Sequence, residues 1–201
     1  MNPAFPVHGG DAALSAQAAV HAGAPIHFVP DASSDVARAL GLGVGQAVNA
    51  PATIDLLDLG RGVPAVNMVV LGPGPDRLRR RHRRRGCRVE IDGRVVWDGP
   101  ATTVVVASGE YLRGRDVVPR GHPGDGRLEV QVYALASSQR AGMRRRLATG
   151  THLPHPQIQT AGGERATVQW ARPVRLEVDG VDHGVARALA VVVQPGALTI
   201  V

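Results

Sequence analysis

Val7-His8-Gly9-Gly10-Asp11-Ala12-Ala13, followed by Val29-Pro30-Asp31-Ala32-Ser33-Ser34-Asp35-Val36-Ala37-Arg38-Ala39-Leu40-Gly41, is the part of the chain on which the fold turns. Two glycines and an acid after an apolar residue, with a second Gly/Ser/Asp turn opening a short helix, is how α/β proteins aim backbone N–H groups at a phosphate. A working loop of this kind wants glycine at position 12, for a positive φ, and a hydroxyl at position 13. Forcing φ > 0 on Ala12 would cost ~1–2 kcal/mol. The hydrogen bond missing at Ala13 would cost a further ~0.5–1.5 kcal/mol.

Outward from this stretch, the alanine-rich run Leu14 to Ala22 reads as a helix stopped by Gly23, and Pro25 to Val29 as a short strand. Ser33 or Ser34 can N-cap a helix over Asp35 to Leu40, with Gly41 as its stop. Few residues precede Gly9, so the opening strand is expected to be nearly absent. From about Ala50 the texture changes to apolar/polar alternation with Asp-Gly turns. Arg88 to Trp97 reads as a hairpin, and Ala101 to Ala107, Leu128 to Tyr133, Thr167 to Trp170, Val174 to Val178 and Ala188 to Val193 read as further strands. One helix, Ser137 to Ala148, interrupts them. The expected fold is of mixed α+β class: a truncated α/β nucleotide-binding lobe over residues 1–48, then a β-sandwich over residues 49–201.

The 201 residues are 44% hydrophobic and 20% charged, enough to bury a real core, and with 3% aromatics that core must be Val, Leu, Ala and Ile. All 23 basic residues are Arg and the net charge is +6, which favours polyanions as partners. The single Cys87 excludes an intrachain disulfide framework and fits a reducing compartment. No apolar run reaches the ~18 residues of a spanning helix, and the first residues have neither a basic nor an apolar leader region. The expected location is cytoplasmic or peripheral at a membrane surface.

These residues resemble the bacterial diacylglycerol kinase-like lipid kinases, which share their architecture with NAD kinases. Gly9-Gly10-Asp11 stands where that family has Gly-Gly-Asp-Gly-Thr, and Pro30 to Leu42 resembles its Pro-x-Gly-Thr-x-Asn-Asp-Phe-Ala-Arg-x-Leu-Gly segment with one residue deleted. Val104 to Tyr111 resembles its Val-x-Asn-Gly-x-Tyr strand, and Pro119 to Val130 its Pro-x-Ala-x-x-Asp-Gly-x-Leu-Asp loop. Thr151 to Pro156, Val178-Asp179-Gly180 and Pro195 to Leu198 supply the remaining landmarks in order. Met1-Asn2-Pro3 alone echoes the family's early Asn-Pro, so a shortened nucleotide lobe, either a natural relic or a shortened gene product, is expected.

The resemblance implies ATP and Mg²⁺ as cofactors and a lipid hydroxyl as phosphoryl acceptor, taken up in a cleft between the two lobes. Phosphate contacts then fall to Gly9, Gly10, Ser33 and Ser34, and metal or proton work to Asp11. The family's loop would hold magnesium at Asp125, although a plain Asp-Gly turn is the competing reading. Where the family has a Glu as general base, directly after the late Asp-Gly, this chain has Val181. Asp182, one residue on, is the displaced candidate if a bulge at Gly180 turns it into the cleft. Loss of a base removes ~10²–10⁴ in rate, so a weak or inactive kinase, a pseudokinase of phospholipid metabolism, is expected.

Arg79, Arg80, Arg81, Arg83, Arg84 and Arg85 belong to a run that reads as a solvated loop, with an anionic-membrane clamp as the sharper reading. Nucleic acid is disfavoured because no aromatic residue lies in the run to stack bases. Two alternatives to the enzyme stay open: a non-catalytic lipid-binding module of the same family and, third, nucleic-acid binding through the arginines. A homo-oligomer is compatible with all three.

Overall fold

The computed structural model describes residues 5–20, 23–48, 50–62 and 64–201. Ala22, expected to end the first helix, and the Met1-Asn2-Pro3 echo lie outside them. Two short strands, β1 (Phe5–Gly9) and β2 (Ile26–Pro30), pair in parallel from Phe5↔Ile26 to Gly9↔Pro30, with helix α1 (Asp11–Val20) as the crossover. The opening strand expected to be nearly absent is therefore present. It needs only five residues because its neighbour β2 is already fixed on the far side, where Ile200 pairs with Ile26. Helix α2 (Asp35–Ala39) follows, capped by the Ser34 hydroxyl, which accepts from the Ala37 N–H at 3.1 Å.

The rest is mainly antiparallel sheet. Strands β3 (Ala52–Asp58), β4 (Met68–Leu71), β5 (Arg85–Ile91), β6 (Arg94–Ala101) and β7 (Thr103–Ala107) come first. A small ribbon, β8 (Tyr111–Leu112) with β9 (Arg115–Asp116), stands apart. Strand β10 (Leu128–Tyr133), helix α3 (Arg140–Arg146) and β11 (Ile158–Gly163) lead to the two longest strands, β12 (Arg165–Val178) and β13 (Val181–Ile200). The order β1-β2-β13-β12-β4-β7-β10-β11 makes one mixed sheet, with β3 also on β13 and the β5–β6 hairpin on β12.

Because β12 pairs β5 with its first half and β4 with its last residues, the sheet folds over on itself. Its inner faces meet as a sandwich: Val69, Leu71, Val104, Val106, Val130 and Val132 from one layer pack against Val89, Val168, Leu189 and Val191 from the other. Strict alternation along each strand sends every second side chain inward. The outer face of β4, β7 and β10 is closed by Met143 and Leu147 with Leu78, Leu112 and Val117. A third core joins the first lobe to the end of the chain, with Leu14, Ile26, Phe28 and Val36 packed with Ile54, Leu198 and Ile200.

Three expectations are adjusted. Thr167–Trp170 and Val174–Val178 are not separate strands but one, interrupted in register between Gln169 and Val174, where Pro173 has no N–H to offer the ladder. The helix expected over Ser137–Ala148 is shorter, Arg140–Arg146, and tightens into a 3₁₀ turn at Leu147–Thr149. The arginine run is no free loop: Leu78 is fully buried, and the guanidinium of buried Arg140 donates to the carbonyls of Arg79 and Arg80 at 2.8 and 3.3 Å, and to that of His82. Among the described residues, no helix is long and apolar enough to cross a membrane.

Ile200 is fully buried between β2 and β3. Ile200→Ala is expected to cost ~2–5 kcal/mol in urea unfolding. A midpoint unchanged from wild type would contradict the placement of this strand in the first lobe's core.

Candidate active site

Gly9 and Gly10 are needed for two different reasons. Gly9 sits at φ +135°, which side chains resist, while a Cβ on Gly10 would collide with the Ser33 hydroxyl. The two loops can therefore approach closely, and α1 begins at once after Gly10, whose carbonyl accepts from Ala13 and Leu14 at 3.1 and 3.3 Å. Ala12 is thus an ordinary helical residue with no positive φ, and the strain anticipated there does not exist. Among the described residues the N–H groups of Asp11 and Ala12, at the start of α1, have no backbone partner outside the helix, whereas that of Ala13 is taken by Gly10.

Across from this loop runs the β12–β13 turn, Asp179-Gly180, with φ +47° and +83°, the two-residue turn that matches strand twist. Asp179 turns its carboxylate inward. It accepts from the N–H groups of Val66, Asn67 and Met68 at 2.8, 3.1 and 2.8 Å, and from the Ser15 hydroxyl on α1. Burial raises its pKa and these four donors oppose the rise.

Asp11 is the second node. It is 5% exposed, and its oxygens accept from the Ser34 hydroxyl at 2.7 Å, the Asn67 amide at 2.9 Å and the Val36 N–H at 3.2 Å. Burial first, then the negative charge of Asp179, push its carboxyl up to about 7. Asn67, buried, also donates to the Tyr111 carbonyl at 3.0 Å, and its own Oδ1 has no partner among the described residues.

Asp35 is the third. Its carboxylate accepts from Gly114 N–H at 2.7 Å and from Arg113 N–H, pinning the tip of the β8–β9 ribbon to α2. That tip holds Arg113 at φ +52°, unusual for a long side chain. The Arg113 guanidinium makes a fork to Asp76 at 2.8 and 3.0 Å and a further bond to Glu177. Burial works against its charge, but these carboxylates more than compensate and hold it protonated.

Gly10, Asp11, Ala12, Ala13, Ser33, Asp35, Asn67, Arg113, Asp179, Gly180 and Val181 thus enclose one cleft of about 440 Å³. Of the residues expected from sequence, Gly10, Ser33 and Asp11 reach it, and Gly9 lines a separate shallow hollow with His8, Pro30 and Asp31. Ser34 does not: its hydroxyl is buried between Asp11 and Ala37 as a cap. Asp182 does not either. It pairs across the strands with Glu177, opposite in side to Val181, and is held by Arg175 at 3.1 Å and by the Gly184 N–H at 2.8 Å. The tight Asp179-Gly180 turn leaves no bulge at Gly180 to rotate it inward.

Asp125 lies in an exposed turn, accepting from the Arg127 N–H at 3.0 Å. Its loop is anchored instead by buried Asp55, which takes the N–H groups of Gly126 and Gly196 at 2.7 and 2.8 Å. His152 is fully buried against the Val117 carbonyl at 3.0 Å. No group of three metal-ligating side chains occurs among the described residues. The oxygens of Asp11, Asp35 and Asp179 are all engaged by protein donors, so these residues do not form a magnesium site by themselves.

Asn67, Arg113, Asp35 and Asp55 were not singled out from sequence. A left-handed arginine and a buried asparagine carry no local pattern, and only Gly114 after Arg113 hinted at a turn.

The architecture is that of a small α/β lobe joined to a β-sandwich that completes its cleft. The profile of the YegS C-terminal NAD kinase beta sandwich-like domain matches residues 77–201, more than half of the chain, and the chain belongs to that family. A search of curated proteins finds no match. Among solved structures, a diacylglycerol kinase from Bacillus anthracis superposes with a TM-score of 0.77 at 17% identity, covering 97% of this chain and 74% of that one. An NAD kinase from Archaeoglobus fulgidus in complex with ATP superposes at 0.52 with 9% identity, over 100% and 81% of the two chains. These likenesses establish the fold and accord with the lipid kinase resemblance read from the motifs.

Because the carboxyl of Asp11 is raised from 3.8 to about 7, the folded chain keeps a proton there that the unfolded chain has lost. The stability this contributes is full below about pH 3.8 and is lost as pH rises through about 7. Asp11→Asn cannot titrate, so the stability of wild type relative to this variant should fall by ~2 kcal/mol between pH 5 and 8 in urea unfolding. Parallel pH profiles for the two proteins would refute the raised value.

Proposed function

We propose that this chain is a diacylglycerol kinase-like protein that binds the triphosphate end of ATP in the 440 Å³ cleft and transfers its terminal phosphoryl group to a lipid hydroxyl only slowly. The observation that carries the reading is the convergence on one cleft of Gly10, Ser33, Arg113 and Val181, from segments far apart in sequence. Phosphoryl transfer is mostly positioning and charge stabilisation. The α1 N-terminus, at Asp11 and Ala12, offers N–H donors to phosphate oxygens; the Ser33 hydroxyl, which donates to Asp31 at 2.6 Å, meets a phosphate only by leaving that partner, and the Arg113 guanidinium, spent on Asp76 and Glu177, braces the cleft wall.

Among the described residues, no carboxylate in the cleft is free to take the acceptor's proton. Asp11 has a suitable pKa of about 7, but it is buried and each oxygen already accepts from the protein. Asp35 and Asp179 are committed to backbone amides. Val181, 46% exposed at the cleft wall, stands where the family resemblance calls for the base.

Val181→Glu should therefore raise single-turnover transfer to diacylglycerol in micelles, at saturating ATP with magnesium, by ~10²-fold or more. Ala12→Gly with Ala13→Thr should change it little, because the loop carries no strain to relieve. Wild-type turnover of roughly 1–100 per second would contradict the proposal, since an ordinary kinase needs its base. Absence of transfer in every variant would favour the non-catalytic lipid-binding reading.

A further inference from the structure

The arginine run is sorted by the fold. Arg77, Arg79, Arg81, Arg83 and Arg85, the odd-numbered members, line one hollow of about 770 Å³ together with Arg175 from β12. Arg80 and Arg84 are not part of its wall, and Arg84 is spent on the Ala134 carbonyl at 3.2 Å. The sorting has a cause underneath. Buried Arg140 gathers the carbonyls of Arg79, Arg80 and His82 inward and also donates to the Leu135 carbonyl at 3.2 and 3.3 Å. With the carbonyls drawn in, the loop is held in a fixed shape.

The charge gathered there is not balanced from within. Arg77 and Arg175 have carboxylate neighbours, Asp76 at 3.7 Å and Asp182 at 3.1 Å, and Arg85 donates to the Pro173 carbonyl at 2.9 Å, but Arg79, Arg81, Arg83 and Arg85 make no salt bridge among the described residues. The one acid in the wall, Glu177, is bound to Arg113 on its other side. The field is felt locally: burial, together with Arg81, Arg140 and Arg79, lowers the pKa of His82 below its ordinary value. Like charges held together on a braced backbone, without internal counter-charges, make a receptor for an external anion.

We propose that this hollow binds a phosphate-bearing anion through the guanidinium groups of Arg79, Arg81 and Arg83, flanked by Arg77, Arg85 and Arg175. Planar guanidinium forks match phosphate oxygens in pairs, and the volume suits a small phosphorylated group. A nucleic-acid strand is disfavoured because no Phe, Tyr or Trp lines the wall to stack a base. The shared chemistry can come from the headgroup of an anionic lipid or from a soluble polyphosphate. The site is separate from the cleft and does not require the cleft to turn over.

The test uses the full chain and two probes: inorganic pyrophosphate by calorimetry, and phosphatidylcholine vesicles containing phosphatidic acid by sedimentation. Arg79→Ser, Arg81→Ser and Arg83→Ser are combined in one variant. Arg80→Ser, Arg145→Ser and Arg146→Ser, which remove the same charge away from the hollow, are combined in a second, and thermal unfolding confirms that both fold. Each arginine near an anionic surface contributes about fivefold, so the first variant should weaken binding about a hundredfold and the second about tenfold or less. Binding of pyrophosphate assigns a soluble source, and binding of vesicles alone a lipid headgroup. Equal losses in the two variants, or no binding of either probe by wild type, would overturn the proposal.

Discussion

One inward-turned, half-buried carboxylate, that of Asp179, ties the molecule together. It sits at the turn of the longest hairpin, takes three successive backbone N–H groups from the Val66–Met68 segment, and reaches the Ser15 hydroxyl on α1. A buried charge without partners would be very costly, whereas four donors at one site make it a stable joint. The joint forces three things into one place: the start of the first helix, the entry to β4, and the Asp179-Gly180 turn. Leaving those amides unpaired would cost ~1–3 kcal/mol each, so the geometry of the cleft depends on this contact.

From that joint the remaining polar groups follow as a chain. Asn67, fixed by its backbone bond to Asp179, presents its amide to Asp11, and Asp11 in turn holds the start of α2 through Ser34 and Val36. Asp35, on α2, then fixes the Arg113 turn. This arrangement has a chemical consequence. Carboxylates that staple loops are not free to shuttle protons, so the bonds that shape the cleft are also those on which the proposed slow transfer rests.

Where the sequence was legible, a local pattern coincided with the tertiary demand. The Asp92-Gly93 turn between alternating strands, β10 over Leu128–Tyr133, and the Ser cap of α2 all came out as read, because each is decided by residues a few positions apart. The Gly-Gly-Asp loop was legible as a landmark but misjudged in its mechanics: Gly10 is needed for the approach of Ser33, and Ala12 is simply helical. β1, expected to be nearly absent because few residues precede Gly9, forms on a partner, β2, that lies across a helix, out of reach of any local pattern. The parity of the arginine run was invisible as well, since it is imposed by Arg140 from a distant helix. The roles of Asn67, Asp35 and Arg113 arise only when three segments meet.

The measurement that bears most directly on this account is a titration of the isotope-labelled chain with ATP and magnesium, read by amide chemical shifts. Saturable changes at Gly10, Ala12, Ala13, Ser33 and Gly180 are predicted, as the phosphates settle between the α1 N-terminus and the Asp179-Gly180 turn. Shifts confined to the Arg77–Arg85 loop, or none at millimolar ATP, would contradict the claim that this cleft is a nucleotide site.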